Sequence, residues 1–340
     1  MQSFRRIQSW APVQIDALGL VTILGAESAK HVLGQLTANR FTDWLPLLAA
    51  HVIATDEFAQ PQGGFALYNI SDGIMANDLT GWFTRWLLSE DLANCSSNIK
   101  IVTFTSKAMD KKQKMDQNLS RAFGLLGLAP ALLAGLIGDW WGLANGLAVL
   151  ISVLVRRFVL AEHRRAVDDA LYQASKTSTE PVKVFTTLPN GTAVTISTTR
   201  GILIDCLLTI TRPRRRRLYN AVRNLGWLVF GIHLISLGMA SLFSQILYIV
   251  SVITATLVTF RQVGTNRRRV GHNLELTIEK RELRFRAATF ASLELTKSEE
   301  DSMILWNLMP HRSYKNWWEK YETTKKDGNF ERWDRALASA

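Results

Sequence analysis

The sequence predicts a membrane protein of the all-α class, with two transmembrane helical hairpins (four helices) and a small cytosolic α+β portion. Residues 225–260 hold no Asp, Glu, Lys or Arg, and residues 122–155 hold a single charged side chain, Asp139. Because one spanning helix needs about 20 residues, each block is long enough for two crossings with short arms. Arginines and lysines crowd the ends of both blocks, as they do in loops on the cytosolic side of a membrane.

We divide the chain at the edges of these two apolar blocks. Since a polar segment separates the blocks, the cytosolic portion is assembled from three stretches of the chain. The divisions are residues 1–120 (N-terminal cytosolic region), 121–156 (transmembrane hairpin 1), 157–224 (cytosolic segment), 225–260 (transmembrane hairpin 2) and 261–340 (C-terminal cytosolic region).

The N-terminal region contains apolar patches that are too short to cross a membrane. Residues 28–37 and 79–88 have the spacing of short amphipathic helices, and residues 99–105 alternate like a β-strand. The aromatic side chains within 79–88 could lie on a membrane surface, but burial in an ordinary core is the simpler interpretation of Trp82, Phe83 and Trp86. We expect no cleaved signal peptide, since the first apolar patch is interrupted and no cleavage motif follows it.

The turns of the two hairpins are marked by residues that interrupt apolar helices. Gly138 and Asp139, followed by two tryptophans, predict a turn at the head-group level in the first block, and residues 241–245 predict one in the second. Each arm of the first block then has about 16 residues, or about 25 Å of helix, which is short for a hydrocarbon core of about 30 Å. Small residues four apart, including Gly142 and Gly146, predict close helix packing, although such residues are also common in membrane helices generally.

The segments outside the blocks combine strand and helix signals. Residues 182–198 alternate around Pro189-Asn190-Gly191, which predicts a β-hairpin. Residues 201–210 are apolar but too short to span, so they predict a buried strand or a segment at the membrane surface. Residues 272–295 begin like a strand and continue like a helix, and the aromatic residues after Trp306 suit either an interfacial helix or a helix packed on the cytosolic portion.

The formal net charge of +11 is concentrated beside the apolar blocks. By the positive-inside rule, this distribution places both termini and the 157–224 segment in the cytosol, where the Asn190 sequon would stay unglycosylated. It also favours anionic lipid head groups over nucleic acid as the partner of the basic residues. The arginines that we expect to set the topology and to face lipid are Arg156, Arg157, Arg214, Arg215, Arg216, Arg217, Arg267, Arg268 and Arg269.

The sequence contains no recognisable catalytic or metal-binding motif. Glycine-rich nucleotide loops, HExxH, GxSxG and Cys/His metal spacing are absent from it, so we assign no catalytic, cofactor-binding or metal residue and expect no cofactor. His233 and Asp139 are candidate functional residues, because burial of an ionisable group in a membrane is costly. The simpler interpretations are a neutral His233 bonded to a backbone carbonyl or to Ser236, and an Asp139 solvated at its turn. Asp205 and Cys206 could form a nucleophile pair, but a structural thiol is the simpler interpretation.

Part of the second half resembles a known group of sequences. The stretch RGILIDCLLT at 200–209, the arginine-rich collar after it, and LYNAVRNLGWLVFGIHLISLGMASLFSQ at 218–245 are similar to a family of uncharacterised multi-pass membrane proteins from filamentous fungi. The resemblance implies a fungal source and a multi-pass fold, and it implies no activity or site residue. In layout alone, two apolar hairpins with a polar segment between them are similar to the reticulon arrangement, which implies bending of the membrane.

Three functions follow from these features. The first is a non-enzymatic accessory, scaffold or interaction protein of the membrane, and an enzyme is the less favoured class. The alternatives are a membrane-shaping hairpin protein and a component of a small-molecule or ion transporter. The expected partners are the lipid bilayer, its anionic head groups, and a second copy of the chain or another membrane protein, without nucleic acid. Short arms slightly favour the endoplasmic reticulum or another endomembrane over the plasma membrane.

Overall fold

The computed structural model describes residues 26–37, 42–47, 51–90, 92, 97–103, 129–263, 269–280, 283 and 285–338. Its α-helices are α1 Ala26–Gly34, α2 His51–Thr55, α3 Gly81–Ser89, α4 Ala129–Ile137, α5 Trp140–Thr177, α6 Arg200–Ile202, α7 Arg216–Met239, α8 Leu242–Val263, α9 Arg286–Ala291, α10 Lys297–Leu305, α11 Lys315–Asp327 and α12 Phe330–Ala338. Its strands are β1 Ala66–Asn69, β2 Ile74–Ala76, β3 Ser97–Thr103, β4 Pro181–Thr187, β5 Ala193–Thr199, β6 Arg269–Val270 and β7 Leu274–Lys280. Short 3₁₀ turns occupy Thr42–Trp44 and Glu57–Ala59, and a π-helical stretch, Leu203–Leu208, continues α6.

These elements divide into two units. The first unit takes the described residues within 1–60, 105–168 and 212–272, and the second takes those within 61–104, 169–211 and 273–340. The predicted N-terminal region is therefore shared between the units. Helix α5 contributes residues to both, since its 38 residues extend for about 57 Å, well beyond the thickness of a hydrocarbon core of about 30 Å.

The first unit contains three helices that are long and apolar enough to cross a membrane, namely α5, α7 and α8. The protein is thus mostly helical with a small sheet portion, and it is compatible with an integral membrane protein. The fourth predicted helix is represented by the nine residues of α4, which are too few to span. Residues 121–128, the start of that predicted helix, lie outside the described residues.

Helix breaks in the first unit occur where the sequence predicts turns. Gly138 has a φ of 79°, a left-handed conformation that glycine adopts without steric cost, and Asp139 then precedes α5. Helix α7 ends at Met239, the next residue Ala240 has an extended backbone, and α8 begins at Leu242. Each break reverses the chain within a few residues.

Glycines on α5 allow α4 and α8 to approach it closely. A Cβ at Gly146 would lie 2.4 Å from the Cβ of Ala131 and 2.1 Å from the hydroxyl of Tyr248. A Cβ at Gly142 would lie 2.8 Å from the hydroxyl of Ser244. The small-residue spacing of α5 therefore serves packing between helices of one chain, as predicted, where van der Waals contact is the main attraction in lipid.

Residues before position 61 complete the first unit. Helix α2 packs on α7, while α1 and the Thr42–Trp44 turn pack on α8. Val52, Ile53 and Ala54 of α2 are buried in these contacts. Thr37 forms an isolated antiparallel bridge with Val270 of β6.

The second unit is built on a mixed β-sheet whose strands in this unit follow the order β2-β1-β4-β5-β3-β7. Strands β4 and β5 form the hairpin that the sequence predicts, with Val184 opposite Ile196. In its loop Gly191 has a φ of 83°, and Asn190 Oδ1 accepts a hydrogen bond from the Thr192 N–H at 3.0 Å. Strand β3 pairs in parallel with β5 and antiparallel with β7.

The apolar segment 201–210 is mainly helical, so the alternative of a buried strand is wrong. Helix α6 passes into the π-helical stretch, where Leu203, Cys206 and Leu207 are buried. A Cβ at Gly201 would lie 2.2 Å from the carbonyl oxygen of Ala174, so only glycine permits this approach to α5. Short apolar runs do not distinguish a buried strand from a buried helix by periodicity, which explains the error.

Aromatic side chains form much of the interior of the second unit. On α3, Trp82, Phe83 and Trp86 are buried, so the core interpretation of these residues is correct. The indole N–H of Trp82 donates to the carbonyl oxygen of Cys206 at 3.3 Å. This bond ties α3 to the π-helical stretch.

The C-terminal helices also pack on this core. Trp318, Tyr321 and Trp333 of α11 and α12 are buried in one cluster with Phe290 of α9. The ring of Trp317 stacks on Tyr321 with centroids 5.2 Å apart. Of the two predicted arrangements for the tail, the one that packs its aromatic side chains on the fold is the one observed.

Candidate functional site

The candidate spanning helices place apolar side chains outside and polar side chains inside. Asn145 is fully buried, and so are the hydroxyl-bearing side chains of α7 and α8 that face inward, namely Ser236, Ser244, Thr256 and Thr259. Within the apolar stretches 140–155, 225–239 and 242–260 of these helices, the exposed side chains are apolar except that of Thr254, and they include Trp140, Leu147, Leu154, Leu228, Ile235, Val250 and Leu257. Large exposed apolar surfaces are rare on soluble monomers, whereas inward-facing polar groups are the usual arrangement in lipid.

His233 lies inside the first unit and contacts Asn145. Its Nδ1 is 2.6 Å from Asn145 Oδ1, which lies 88 positions away in the sequence. The hydroxyl of Ser236 is 3.4 Å from the same oxygen and donates to the carbonyl oxygen of Ile232 at 2.6 Å. The partner of His233 is thus an amide on α5 rather than the carbonyl or Ser236 that the simpler interpretation predicts.

Asp139 connects the two helix turns of the first unit. Its Oδ1 accepts a hydrogen bond from the N–H of Gly142 at 2.9 Å, which caps the start of α5. Its Oδ2 accepts from the N–H and the hydroxyl of Ser241, at 2.9 and 2.7 Å. The carboxylate is enclosed by these donors, which corrects the expectation that it is solvated at its turn.

Arg156 is buried, which corrects the expectation that it faces lipid head groups. Its guanidinium donates to the carbonyl oxygens of Thr42, at 2.9 Å, and Leu45. Its Nε has no hydrogen-bond partner in the described part of the chain. Two turns further along α5, Arg164 holds the carboxylate of Asp43 through both terminal nitrogens, at 2.5 and 3.1 Å.

A second polar group surrounds Asp56, the residue that follows α2. The hydroxyl of Tyr219 donates to Asp56 Oδ1, and His163 Nε2 lies 2.7 Å from that hydroxyl and 3.2 Å from the same carboxylate oxygen. Arg223 lies 3.6 Å from Asp56 Oδ2. Burial by itself raises the pKa of Asp56, but the hydrogen bonds from His163 and Tyr219 and the charge of Arg223 hold that pKa below its usual value. The carboxylate therefore stays ionised and ties α2 to α5 and α7.

A cavity of about 30 Å³ lies between α5, α7 and α8. Residues that follow the Thr42–Trp44 turn and Ile53 of α2 complete its wall. Its polar lining consists of Ser152, Arg156 and His233, and the remaining side chains are apolar. A space of this size accommodates about two water-sized guests.

The other predicted arginines have different surroundings. The guanidinium of Arg157 covers the ring of Trp44 at 3.6 Å from its centroid, and Arg269 is half-buried. Four arginines that precede or begin α7 are exposed and make no ion pair within the described residues: Arg214, Arg215, Arg216 and Arg217. Arg267 and Arg268 lie outside the described residues.

Possible metal ligands and the Cys206 thiol are the remaining candidate groups. Across the described ranges, no group of three His, Cys, Asp or Glu side chains is arranged to hold a metal ion. Cys206 is buried, in agreement with a structural thiol. Its neighbour Asp205 accepts a hydrogen bond from Thr177 Oγ1 at 3.2 Å instead of contacting a base.

Sequence reasoning missed several residues of these polar groups. Asn145 carried a usable signal, since, like His233, it is a polar residue inside an apolar block. Asp56, His163 and Tyr219 carried none, because their grouping depends on contacts between segments that are more than 50 residues apart.

The fold and the polar interior define a class of protein: a helical bundle with three membrane-compatible helices, joined in one chain to an α+β unit. No family model, no curated protein and no solved structure matches the chain. The functional assignment therefore rests on the contacts described above.

Proposed function

We propose that the protein is integral to a membrane through two helical hairpins, and that it acts as a non-enzymatic accessory, scaffold or interaction protein. In this proposal α4 is the end of a fourth spanning helix that begins near residue 121. The 157–224 segment and both termini face the cytosol, and the membrane is the endoplasmic reticulum or another endomembrane.

One observation supports this proposal above the others: the reversed polarity of the first unit. Its exterior is apolar along residues 140–155 of α5, 225–239 of α7 and most of 242–260 of α8, while its interior holds Asn145, His233 and several hydroxyl groups. Such a surface is stable in lipid and would aggregate in water. The second unit has its own apolar core and is therefore suited to be held at the membrane as a module.

The basic residues support contact with anionic lipid. The four exposed arginines, Arg214–Arg217, precede or begin α7, and its first turn holds no acidic residue. Positive charge at a helix N-terminus is unfavourable by itself, because the helix dipole also places partial positive charge there. Anionic head groups on the cytosolic face would compensate this cluster.

The edge of the sheet in the second unit supports an interaction role. Strand β2 pairs with β1 on one side, and Ile74 and Met75 on it are exposed. Edge strands with apolar side chains can accept an extended segment of another protein through backbone hydrogen bonds. The partner is then another membrane protein or a second copy of this chain.

Membrane integration and topology are tested together in isolated membranes. The full chain should stay in the pellet after carbonate extraction. The Asn190 sequon should remain unmodified, whereas an acceptor sequon in a spacer inserted between Ala240 and Ser241 should be glycosylated. Extraction of the protein into the soluble fraction, or a glycan at Asn190, contradicts the proposal.

A transporter component is the second candidate, and the cavity at His233 favours it. A cavity with polar groups between spanning helices is the usual form of a binding site in such proteins. Purified protein in liposomes should then give a solute flux that His233→Ala abolishes. Absence of flux for common ions and small solutes favours the scaffold role.

The resemblance of residues 200–245 to the fungal multi-pass family remains part of this proposal. The buried positions of Leu203, Cys206 and Leu207 give that stretch a structural reason for its composition. Their role is packing in the second unit.

A further inference from the structure

We propose that the cavity lined by Ser152, Arg156 and His233 binds one small monovalent anion of the size of chloride. The proposal goes beyond the membrane-anchoring function, since it assigns a ligand to the interior of the first unit.

The first argument is the charge of Arg156. In the described part of the chain, the hydrogen bonds of its guanidinium go only to the backbone carbonyls of Thr42 and Leu45. The carboxylate of Asp43 is held by both terminal nitrogens of Arg164. Among the residues that the structure describes, these two buried guanidinium groups share one carboxylate, which leaves one positive charge without an ion-pair partner. A buried charge of this kind is strongly unfavourable unless a counter-ion accompanies it.

The second argument is the number of free donors around the cavity. Arg156 is 3% exposed, and its Nε has no hydrogen-bond partner among the residues that the structure places. The hydroxyl of Ser152, one turn earlier on α5, forms no side-chain hydrogen bond within the described residues. Guanidinium and hydroxyl groups on one helix face, four positions apart, can both donate to one guest.

The third argument concerns the protonated nitrogen of His233. Ser236 Oγ donates its proton to the carbonyl oxygen of Ile232 at 2.6 Å, which leaves only a long contact of 3.4 Å between this hydroxyl and Asn145 Oδ1. Within the described part of the chain Asn145 Nδ2 has no hydrogen-bond partner, and a half-turn of the amide would direct it to Ser236 and His233. His233 Nδ1 then accepts, and Nε2 carries the proton. The Nε2–H of His233 is then the third donor in the lining of the cavity.

The size of the cavity limits the class of ligand. A volume of about 30 Å³ holds a monatomic anion with one water but excludes an acyl chain, a sugar or a nucleotide. A single uncompensated charge selects a monovalent ion over a divalent one. The otherwise apolar wall disfavours strongly hydrated anions, because few waters can accompany them.

The experiment is thermal unfolding of the purified full chain in detergent, with chloride exchanged for gluconate at constant ionic strength. Gluconate is too large for the cavity and serves as the inert anion. The melting temperature of the wild type should rise with chloride in a saturable way. Ser152→Ala, which removes one donor and keeps the helix, should raise the half-saturating chloride concentration about fivefold. Arg156→Gln should abolish the chloride dependence.

Arg157→Gln is the matched control, because it makes the same change of charge at the neighbouring position, on Trp44 and outside the cavity. It should retain the half-saturating concentration of the wild type. A wild-type melting temperature that is the same in chloride and gluconate shows a cavity with water alone and overturns the proposal. An unchanged half-saturating concentration in Ser152→Ala overturns it too, and this variant decides the matter if Arg156→Gln does not fold.

Discussion

The carboxylate of Asp139 accepts two hydrogen bonds from Ser241, one from the backbone N–H at 2.9 Å and one from the hydroxyl at 2.7 Å. These residues belong to the two interhelical turns of the first unit and lie 102 positions apart. Both turns are therefore at the same end of the helices. In the proposed topology, this end of the helices is the one with few basic residues.

Asp139→Ala should destabilise the first unit by about 2 kcal/mol, because α5 loses its cap and the half-buried N–H of Ser241 loses its acceptor. Unfolding in mixed micelles, followed by circular dichroism, measures the change. Asp139→Asn keeps one oxygen acceptor and should lose clearly less. Equal losses in the two variants would indicate that the charge of Asp139, rather than its hydrogen bonds, stabilises the turns.

Gly146→Ala should destabilise the same unit by about 1–3 kcal/mol through overpacking. The added methyl group would lie 2.1 Å from the Tyr248 hydroxyl and 2.4 Å from the Cβ of Ala131. Gly231→Ala on α7 is the matched control, since a Cβ there would have no described neighbour within 4 Å. It should be neutral or slightly stabilising, because alanine favours a helix more than glycine does. A neutral Gly146→Ala would show that α4 and α8 do not press against α5.

The sequence predicts the elements of this fold better than their contacts. The apolar blocks indicate α5, α7 and α8, because membrane length and missing charge are properties of a single segment. The β-hairpin is also indicated by a local signal, because the turn at Asn190 and Gly191 contains a glycine that can adopt a positive φ. Segment 201–210 was ambiguous, because a short apolar run suits a strand and a helix equally.

The candidate site could be predicted only in part. His233 stands out as an ionisable residue in an apolar block, but its bond to Asn145 joins different helices and is a tertiary contact. Arg156 directly follows an apolar run, and in the sequence it therefore looks like an arginine that sets membrane topology. Its burial depends on the carbonyl groups of Thr42 and Leu45, more than 100 residues earlier, which no local pattern indicates.

The ion pair of Asp72 and Arg200 should make the stability of the second unit depend on pH. Hydrogen bonds from Arg200 hold the pKa of Asp72 below its usual value, and Asn69 adds a further donor at 2.6 Å. Because the pKa is lower in the folded state, the contribution is complete above about pH 4 and is lost as the pH falls through the folded value. Hydrogen exchange of the amides in β1 and β4 from pH 6 down to pH 3 measures it.

Asp72→Asn should remove most of this acid sensitivity and lower the stability at pH 6. Asp78→Asn is the control, since Asp78 is exposed and has no ion-pair partner among the described residues. It should leave the pH profile as in the wild type. The same acid sensitivity in Asp72→Asn would assign the effect to another carboxylate.

Trp333→Ala should destabilise the second unit by about 3–5 kcal/mol, the usual cost of removing a large buried aromatic side chain. Trp333 packs on Trp317 and Tyr321, with ring centroids 5.9 and 6.5 Å away, and thereby fixes α12 against α11. Tyr314→Ala is the control, because Tyr314 is 60% exposed just before α11. Limited proteolysis of the detergent-solubilised chain should release the C-terminal helices from Trp333→Ala and leave the control intact. If the tail were instead an interfacial helix, Trp333→Ala would weaken binding to vesicles and leave proteolysis in detergent unchanged.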